Sequence, residues 1–375
     1  MGYDTEIAKL REGISSIDKQ LVSLFEQRMK IVEDVGALKK SYGKDVLDAK
    51  REDAVIERAI AQLKNKDLSE AAAEFFHALM DISKKNQRQN MQFEKPSLVK
   101  FSDVKNARVA YLGIKGSYSY IAAQQSFDIT SEFKNYPNFD SILDALRKDE
   151  VDYAMIPAEN TNTGSVTPAI DVLARYGYYI VGEKLQPVSH CFLALKDTEI
   201  ADVKKIYSHP QAISQCSDFL GSRFEAYPSL SSAHAAKKVA QLNDKSIGAI
   251  GSKTAGQIYG LKIIECDIQN EDTNCTRFVI VSKRPYKGKG CNKTSIVIQL
   301  MHKPRSLYEM LAVFSNVNIL KLESRPIKDR QFEYQFHIDF EGSIYDAEIA
   351  EMIERIKKKA AGYTYLGCYP GESIQ

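Results

Sequence analysis

The 375-residue sequence lacks the features that would direct it to a membrane, a secretory route or a polyanion. No stretch reaches the roughly 18 apolar residues that span a bilayer, and the amino terminus has no apolar core of the signal-peptide kind. Its 51 basic and 49 acidic residues leave a formal charge of +2, too small for a general attraction to nucleic acid or anionic lipid. These absences favour a cytoplasmic globular protein with no nucleic-acid or membrane partner.

Cysteine is scarce and scattered. There is no Cys-x-x-Cys pair, and no histidine stands at ligand spacing from a cysteine. We therefore expect neither a disulfide framework nor a metal site, and interpret the six as ordinary thiols. They are Cys191, Cys216, Cys266, Cys275, Cys291 and Cys368.

Proline is absent before Pro96, and this segment is predicted to be helical throughout. Apolar residues recur every seven positions, at Leu10, Ile17, Leu24, Ile31 and Leu38. This repeat predicts a long helix, Thr5 to Ser41, that packs against another helix. At about 55 Å it is too long for a compact 90-residue monomer. We predict two further helices, from Asp48 and from about Ser69, and an all-α domain over residues 1–95.

The rest of the chain divides by its pattern of strands and helices. A polar linker at 96–106 precedes alternating strands and helices over 107–283, which predict an α/β domain with a mainly parallel sheet. A basic linker follows at 284–293. Residues 294–375 read strand-helix-strand-strand-helix-strand, the α+β ferredoxin-like order.

The helical segment carries cations on its apolar seam. Arg28 occupies a seam position, where a register-setting polar residue is the alternative explanation, and Arg11 and Lys39 lie beside it. A buried group of cations is costly without an anion, so the pattern indicates a substrate with carboxylates. Arg11 and Lys39 are 28 residues apart, about 42 Å along one helix. If both serve one site, Arg11 comes from a partner chain, which predicts a dimer.

Residues 3–92, through these cations and the segments Leu10–Ile14 and Asp48–Glu52, resemble the all-helical chorismate mutase family. The resemblance implies an intertwined dimer that rearranges chorismate to prephenate without metal or cofactor. It implies catalytic roles for the residues at the matching positions, with Arg11 acting from the partner chain: Arg11, Arg28, Lys39, Asp48, Arg51, Glu52, Ser83 and Gln87.

Three loops of the α/β segment are rich in hydroxyl and amide groups. They are Pro157–Val166, Ser208–Gln211 with Gln215 a turn later, and Asn274–Phe278. Each alone could be a capping loop or turn, but such groups next to strand ends also suit an anionic ligand.

Together these loops resemble the prephenate dehydratase family over residues 107–283. The resemblance implies two α/β lobes with the site between them, and a reaction that expels water and carbon dioxide from prephenate to give phenylpyruvate. It implies that Thr276 donates a proton to the leaving hydroxyl and that Arg277, Asn160, Ser208 and Gln215 hold the substrate oxygens. The site residues implied by the family pattern are Glu159, Asn160, Ser208, Gln215, Thr276, Arg277 and Phe278.

The carboxyl-terminal segment resembles the ACT regulatory domain of dehydratases, which binds phenylalanine between paired copies. Arg305 stands where the family has glycine, and its side chain either crowds the pocket or lies in solvent. The implied effector is L-phenylalanine, and the implied binding residues are Ser306, Leu307, Glu323, Ser324, Arg325 and Pro326.

The three resemblances occur in the order expected of a bifunctional chorismate mutase–prephenate dehydratase that is a homo-dimer or higher homo-oligomer and uses no cofactor. Two alternatives stay open. One is a mutase joined to an arogenate-type dehydratase, and the other is a catalytically silent sensor of aromatic metabolites.

Overall fold

The computed structural model describes residues 3–41, 49–89, 101–166, 169–286, 290–327 and 333–372. The chain divides into two compact units, Met1–Lys95 and Pro96–Gln375. Among the helices in these ranges, none is both long and apolar enough to cross a membrane.

Where it is described, the first unit consists of helices and one short connection at residues 63–65, which agrees with the predicted helical domain. Helix α1 runs over Tyr3–Ser41, α2 over Ala49–Gln62 and α3 over Ser69–Gln89, and α3 contacts both of the others. The seven-residue apolar row on α1 lies in solvent: Leu10 is 65% exposed and Ile31 is 63% exposed. An apolar row exposed over the length of a 39-residue helix is a surface that a second chain can cover.

The described residues of the second unit form three sheets. The first has the strand order β2-β1-β3-β11-β5, with the short β4 paired to β3. The second has the order β10-β6-β9-β7-β8. Their strands are β1 (Arg108–Leu112), β2 (Glu132–Tyr136), β3 (Tyr153–Asn160), β4 (Gly164–Ser165), β5 (Tyr179–Pro187), β6 (Cys191–Ala194), β7 (Lys205–Ser208), β8 (Glu225–Pro228), β9 (Ile247–Gly251), β10 (Lys262–Glu265) and β11 (Cys275–Ser282).

Helices connect these strands and cover the two sheets. They are α4 (Tyr118–Ser126), α5 (Phe139–Arg147), α6 (Ala169–Tyr176), α7 (Pro210–Gln215), α8 (Ser217–Leu220), α9 (Ser232–Leu242) and α10 (Lys253–Tyr259). Three of these helices carry residues that line the cleft described below: α4 and α9 at their first two residues, and α7 at Gln211, Ala212 and Gln215.

The prediction of a mainly parallel sheet is wrong, because both sheets are mixed. Strand β11 enters the first sheet antiparallel to β3 and to β5, and β6 runs antiparallel to β9 and β10 in the second. Alternation of strands and helices does not report a strand that returns late in the chain to fill a gap in an earlier sheet.

The third sheet is antiparallel, with the order β13-β14-β12-β15 and two helices in the same segment. Its elements are β12 (Lys293–Gln299), α11 (Ser306–Leu311), β13 (Ile319–Pro326), β14 (Tyr334–Glu341), α12 (Ala347–Lys359) and β15 (Gly362–Tyr369). The third sheet packs against the first, so that β15 contacts β5. At the crossing, a Cβ on Gly367 would lie 2.0 Å from the carbonyl oxygen of Ile180, so only glycine permits this approach.

A disulfide joins Cys191 on β6 to Cys266, contrary to the expectation of six thiols. The two residues are 75 positions apart in the sequence, and antiparallel pairing of β6 with β10 brings them together. Spacing along the chain gives no sign of such a pair, because the pairing is a property of the sheet.

Candidate active site

A cleft of about 210 Å³ lies between the first and second sheets. Its walls are mostly hydroxyl, amide and imidazole groups, and among the described residues that line it none is acidic. The lining residues are Gly116, Ser117, Tyr118, Ser119, Asn160, Val188, His190, His209, Gln211, Ala212, Gln215, Ser231, Ser232, Ala233, Ser252, Asn274 and Thr276.

Asn160 organises one wall of the cleft. It is the last residue of β3 and is paired in register with Thr276 on β11. Its Oδ1 accepts hydrogen bonds from the backbone N–H groups of Asn162 (3.1 Å) and Thr163 (3.2 Å). Because backbone N–H groups can only donate, these contacts fix the orientation of the amide, and Nδ2 is the donor toward the cleft.

The two hydrogens of Asn160 Nδ2 are shared among three acceptors. They are Asn274 Oδ1 at 2.8 Å, the carbonyl of Cys275 at 3.2 Å and Thr276 Oγ1 at 3.0 Å. Since the oxygen of Thr276 accepts this bond, its own O–H proton remains available for a group in the cleft. Thr276 is therefore able to donate a hydrogen bond to a ligand in the cleft.

Two residues that line the cleft have an amide donor without a partner among the described residues. Gln215 Nε2 and Asn274 Nδ2 are buried, and neither has a hydrogen-bond partner among the residues that the structure describes. An unsatisfied buried donor is costly, typically 1–3 kcal/mol, so such groups at a site indicate a ligand that supplies acceptors. Together with Thr276 they suit a ligand with several anionic or carbonyl oxygens.

His190 contacts the side chain of Gln215. Its imidazole is only 2% exposed, and Nε2 lies 3.0 Å from Gln215 Oε1, while Nδ1 lies 3.4 Å from the hydroxyl of Tyr118. Burial lowers the pKa of His190 from its ordinary value, so the ring is neutral at pH 7, although the Gln215 contact acts in the opposite direction. With its proton on Nε2 the neutral ring donates to Gln215 Oε1, and the NH2 of that amide then has no partner among the described residues.

Of the seven dehydratase residues predicted from the sequence, Asn160, Gln215 and Thr276 line the cleft and four do not. Ser208 is fully buried and donates to the carbonyl of Ile250 at 2.8 Å. Phe278 lies in the apolar core beneath the first sheet. Neither side chain is placed to hold a substrate in this structure.

Glu159 and Arg277 also lie away from the cleft. Each is the strand neighbour of a cleft residue, and successive side chains of a strand point to opposite faces. Arg277 Nη1 lies 2.7 Å from Asp339 Oδ2, and Glu159 lies 3.3 Å from the Nζ of Lys321. Both side chains therefore face the third sheet. Arg277, which was expected to hold the substrate carboxylate, pairs with Asp339 in this structure.

Sequence reasoning missed His190 and gave Asn274 no role of its own. Asn274 stands two positions before Thr276 in a segment rich in hydroxyl and amide groups, and this position was a usable signal. His190 carried little signal, because a single histidine ahead of a buried strand is usually structural.

In the helical unit, the structure brings together two of the predicted residues. Arg28, on α1, donates through Nη1 to Ser83 Oγ on α3 and, at 3.4 Å, to the carbonyl of Leu79. Partial burial lowers the pKa of Arg28 from its ordinary value, which still leaves it a cation. Arg11 is exposed on α1. The side chains of Lys39, Arg51, Glu52 and Gln87, and the whole of Asp48, lie outside the described residues.

The third sheet has a cavity of its own, of about 450 Å³. Ser306 and Leu307, two of the predicted regulatory residues, line it together with residues of β14 and the turn before α11. The other four, on β13, do not: the carboxylate of Glu323 accepts from Ser165 Oγ at 2.6 Å and pairs with Arg325 at 2.9 Å. Arg305 is exposed, does not line the cavity, and has a positive φ of 69°.

Two family models match the chain. The model described as chorismate mutase type II matches residues 10–88, and the model described as prephenate dehydratase matches residues 109–286. The fold and the cleft therefore define an enzyme with a helical mutase domain followed by a dehydratase domain.

The chain is 30% identical over 386 residues to a bifunctional chorismate mutase/prephenate dehydratase of Escherichia coli (strain K12), covering 100% of this chain and 98% of the relative. It is 36% identical over 288 residues to arogenate dehydratase 2 of Petunia hybrida, covering 71% of this chain and 72% of that protein. The chain belongs to the family of bifunctional chorismate mutase/prephenate dehydratases.

Solved structures agree with the fold of the second unit. A prephenate dehydratase from Arthrobacter aurescens, in complex with L-Phe, is 27% identical with a TM-score of 0.65, covering 70% of this chain and 89% of that one. A protein titled GqqA, a novel type of quorum quenching acylase, is 26% identical with a TM-score of 0.66, covering 71% and 98%. These two proteins share the fold but are titled with different activities, so the reaction has to be inferred from the side chains of the cleft and not from the fold.

Proposed function

We propose that this enzyme carries out two successive reactions, the rearrangement of chorismate to prephenate in its helical unit and the conversion of prephenate to phenylpyruvate in the cleft of its second unit. The observation that carries the second step is the set of directed donors, Thr276, Gln215 and Asn274, in a cleft whose described lining has no carboxylate. Neither reaction requires a metal or an organic cofactor.

The mutase step needs positioning and electrostatic stabilisation only. A pericyclic rearrangement has no nucleophile, so the protein holds a flexible dianion in a reactive conformation and stabilises charge on the ether oxygen. The Arg28 guanidinium, held by Ser83 and the carbonyl of Leu79, is suited to grip a carboxylate. By their positions in the family pattern, Arg11, Lys39, Arg51 and Gln87 complete the site, with Asp48 and Glu52 orienting the substrate hydroxyl and the cations.

A second copy of the chain completes this unit. The exposed apolar row on α1 gives the area for helix-to-helix association, and Arg11 is exposed on the same helix. We therefore expect a homo-dimer in which Arg11 of each chain serves the site of the other. Sedimentation measures the assembly directly, and a monomer at micromolar concentration would contradict the shared site.

In the dehydratase step, the bond from the ring to its carboxylate breaks and carbon dioxide leaves. The electron pair enters the ring, and the ring hydroxyl departs as water with the proton of Thr276. Solvent then returns a proton to the threonine oxygen. Threonine is a weak acid, and the Asn160 bond to its oxygen favours proton donation into the cleft. The Gln215 and Asn274 amides bind the substrate oxygens.

The absence of acidic residues from the described lining of the cleft favours prephenate over arogenate. Arogenate carries an ammonium group where prephenate has a keto oxygen, and burying a cation without a counter-charge is costly. The test is the initial rate of phenylpyruvate formation from prephenate against that of phenylalanine formation from arogenate. Thr276→Ala should abolish both products and Thr276→Ser should retain part of the activity. A preference for arogenate would contradict this reading of the cleft.

We further propose that the third sheet is an ACT domain of ferredoxin-like order and binds L-phenylalanine as a feedback inhibitor. The support is the 450 Å³ cavity lined by Ser306, Leu307 and Phe336, and a related dehydratase crystallised with L-Phe. Ser324 and Pro326 lie exposed on β13, where the pocket of a second copy would meet them. Arg305 does not obstruct binding in this arrangement. Calorimetry with L-phenylalanine tests the proposal, and the same titration in the presence of prephenate measures its effect on turnover.

We place the enzyme in the cytoplasm.

A further inference from the structure

Arg277 connects the dehydratase strand β11 to the third sheet. It follows Thr276 directly, and its side chain leaves the opposite face of the strand, where it is 8% exposed. Nε donates to Glu183 at 2.7 Å, Nη1 to Asp339 at 2.7 Å and Nη2 to the hydroxyl of Tyr369 at 2.9 Å. All three directions of the guanidinium fork are thus used by protein groups.

These acceptors belong to two different parts of the unit. Glu183 lies on β5, next to β11 in the first sheet, whereas Asp339 and Tyr369 lie on β14 and β15 of the third sheet. Ser295 on β12 donates to the other oxygen of Asp339 at 2.6 Å. Asp339 is therefore the carboxylate through which the third sheet holds the dehydratase strand.

The Arg277–Asp339 pair is ionised in spite of its burial. Burial disfavours the charge of Asp339, but the Arg277 guanidinium and the Ser295 hydroxyl hold the pKa of that carboxyl below its ordinary value. Lys293, at 2.9 Å from Glu183, balances the second carboxylate. Removal of one member would leave an uncompensated buried charge, and Arg277 would have to move.

Strand β14 makes a second contact on the same face, with helix α6. His337 Nε2 lies 3.1 Å from Asp171 on α6. Alternate residues of the strand, among them Phe336, face the helices of the third sheet, and Phe336 lines the 450 Å³ cavity. One strand thus carries both the wall of the cavity and the contact to Arg277.

We propose that Asp339 is a positioning residue for the dehydratase reaction, which holds Arg277 and thereby fixes the place of the Thr276 hydroxyl in the cleft. The proposal rests on the proposed dehydratase activity. A proton donor must lie within a fraction of an ångström of its productive place, and a misplacement of about 1 Å can cost about 100-fold in rate. The residue comes from the third sheet, so a cleft without that sheet would be misaligned.

The test is Asp339→Asn in the full chain, assayed for both reactions. The dehydratase kcat should fall about 10- to 100-fold while its KM for prephenate stays within about twofold, because the loss falls on a contact made in the transition state. The mutase rate of the same preparation should not change. Glu341→Gln, which removes a charge from an exposed position two residues along the same strand, should leave both rates unchanged.

Ser295→Ala provides a second, milder variant, because it removes a hydrogen bond to Asp339 without a change of charge. Ser295→Ala should also lower the dehydratase kcat, but by a smaller factor than Asp339→Asn. If Asp339→Asn does not fold, the kcat of Ser295→Ala tests the proposal in its place. A wild-type kcat in either folded variant, measured well below its unfolding temperature, would overturn the proposal, as would a rise of KM with kcat intact. The wild-type chain in the same assay tests the dehydratase activity separately.

Discussion

The substitution Asn160→Asp tests how the cleft directs the Thr276 proton. The amide Nδ2 is 2.8, 3.2 and 3.0 Å from three acceptors, and a carboxylate in its place would present an acceptor to each of them. The bonds to Asn274 and to the Cys275 carbonyl would be lost, and at about 1 kcal/mol for each neutral hydrogen bond we expect a destabilisation of about 2 kcal/mol. The Thr276 hydroxyl would turn to donate to the new carboxylate, and loss of one directed donor in a transition state typically costs about 100- to 1,000-fold in kcat.

The same substitution has a distinctive pH dependence. Burial and the facing oxygens of Asn274 and Cys275 raise the pKa of the introduced carboxyl, while the N–H groups of Asn162 and Thr163 act in the opposite direction. We expect the net shift to be upward, because the carboxyl is buried. Below that pKa the carboxyl is protonated and can again donate to Thr276 Oγ1, so the activity should recover partly as the pH falls from 8 to 5. Above it the carboxylate withdraws the threonine proton from the substrate.

The assay is phenylpyruvate formation from prephenate across this pH range, with a no-enzyme blank because prephenate aromatises in acid. Asn162→Asp, the same chemical change at an exposed position two residues away, should retain nearly full activity. The mutase rate of each preparation reports its concentration of intact enzyme. A variant at Asn160 with wild-type kcat at pH 8, or with a loss that does not depend on pH, would refute the reasoning.

Four further predictions concern the second unit. In urea unfolding, Gly367→Ala should destabilise it by about 3 kcal/mol or more, because the new Cβ would lie 2.0 Å from the Ile180 carbonyl oxygen. Gly260→Ala, at a positive φ in open space, should cost about 1 kcal/mol, and equal losses would contradict the close packing of β15 on β5. Arg305→Gly should stabilise the chain by about 1 kcal/mol, because Arg305 has φ 69°, and Arg305→Ala should give no such gain; equal effects would show that the backbone there is unstrained. Thiol titration of the denatured chain should find four thiols without reduction and six after it, and six without reduction would exclude the Cys191–Cys266 disulfide. The free energy of unfolding should fall between pH 7 and pH 5, because burial lowers the pKa of His190 and the histidine therefore takes up a proton in the unfolded chain before it does so in the folded one. His190→Gln should flatten this pH dependence, and an unchanged slope would contradict a buried neutral imidazole.

The helical unit was predictable because its signal is local. A seven-residue apolar period and the absence of proline predict Thr5 to Ser41, and α1 runs over Tyr3–Ser41. The exposure of that period also follows from sequence arithmetic, since a helix of about 55 Å cannot be covered by a short chain of its own.

The cleft was predictable only in part, because a sequence motif does not show which face of a strand each of its residues occupies. Asn160 and Thr276 line the cleft, while their neighbours Glu159 and Arg277 face the third sheet. Strand alternation could have separated these pairs, had the motifs been interpreted as strands and not as loops. The contact of Arg277 with Asp339 depends on how two sheets pack, and residues 62 positions apart carry no local sign of it.

The central claim, two successive activities in one chain, is tested most directly by a time course of the purified protein with chorismate at neutral pH. Chorismate, prephenate and phenylpyruvate are quantified before any acid step. We expect chorismate to disappear, prephenate to rise and fall, and phenylpyruvate to accumulate above a no-enzyme control. Prephenate that accumulates without phenylpyruvate would confine the activity to the mutase and direct attention to arogenate. Chorismate that persists would contradict the account and favour a silent sensor.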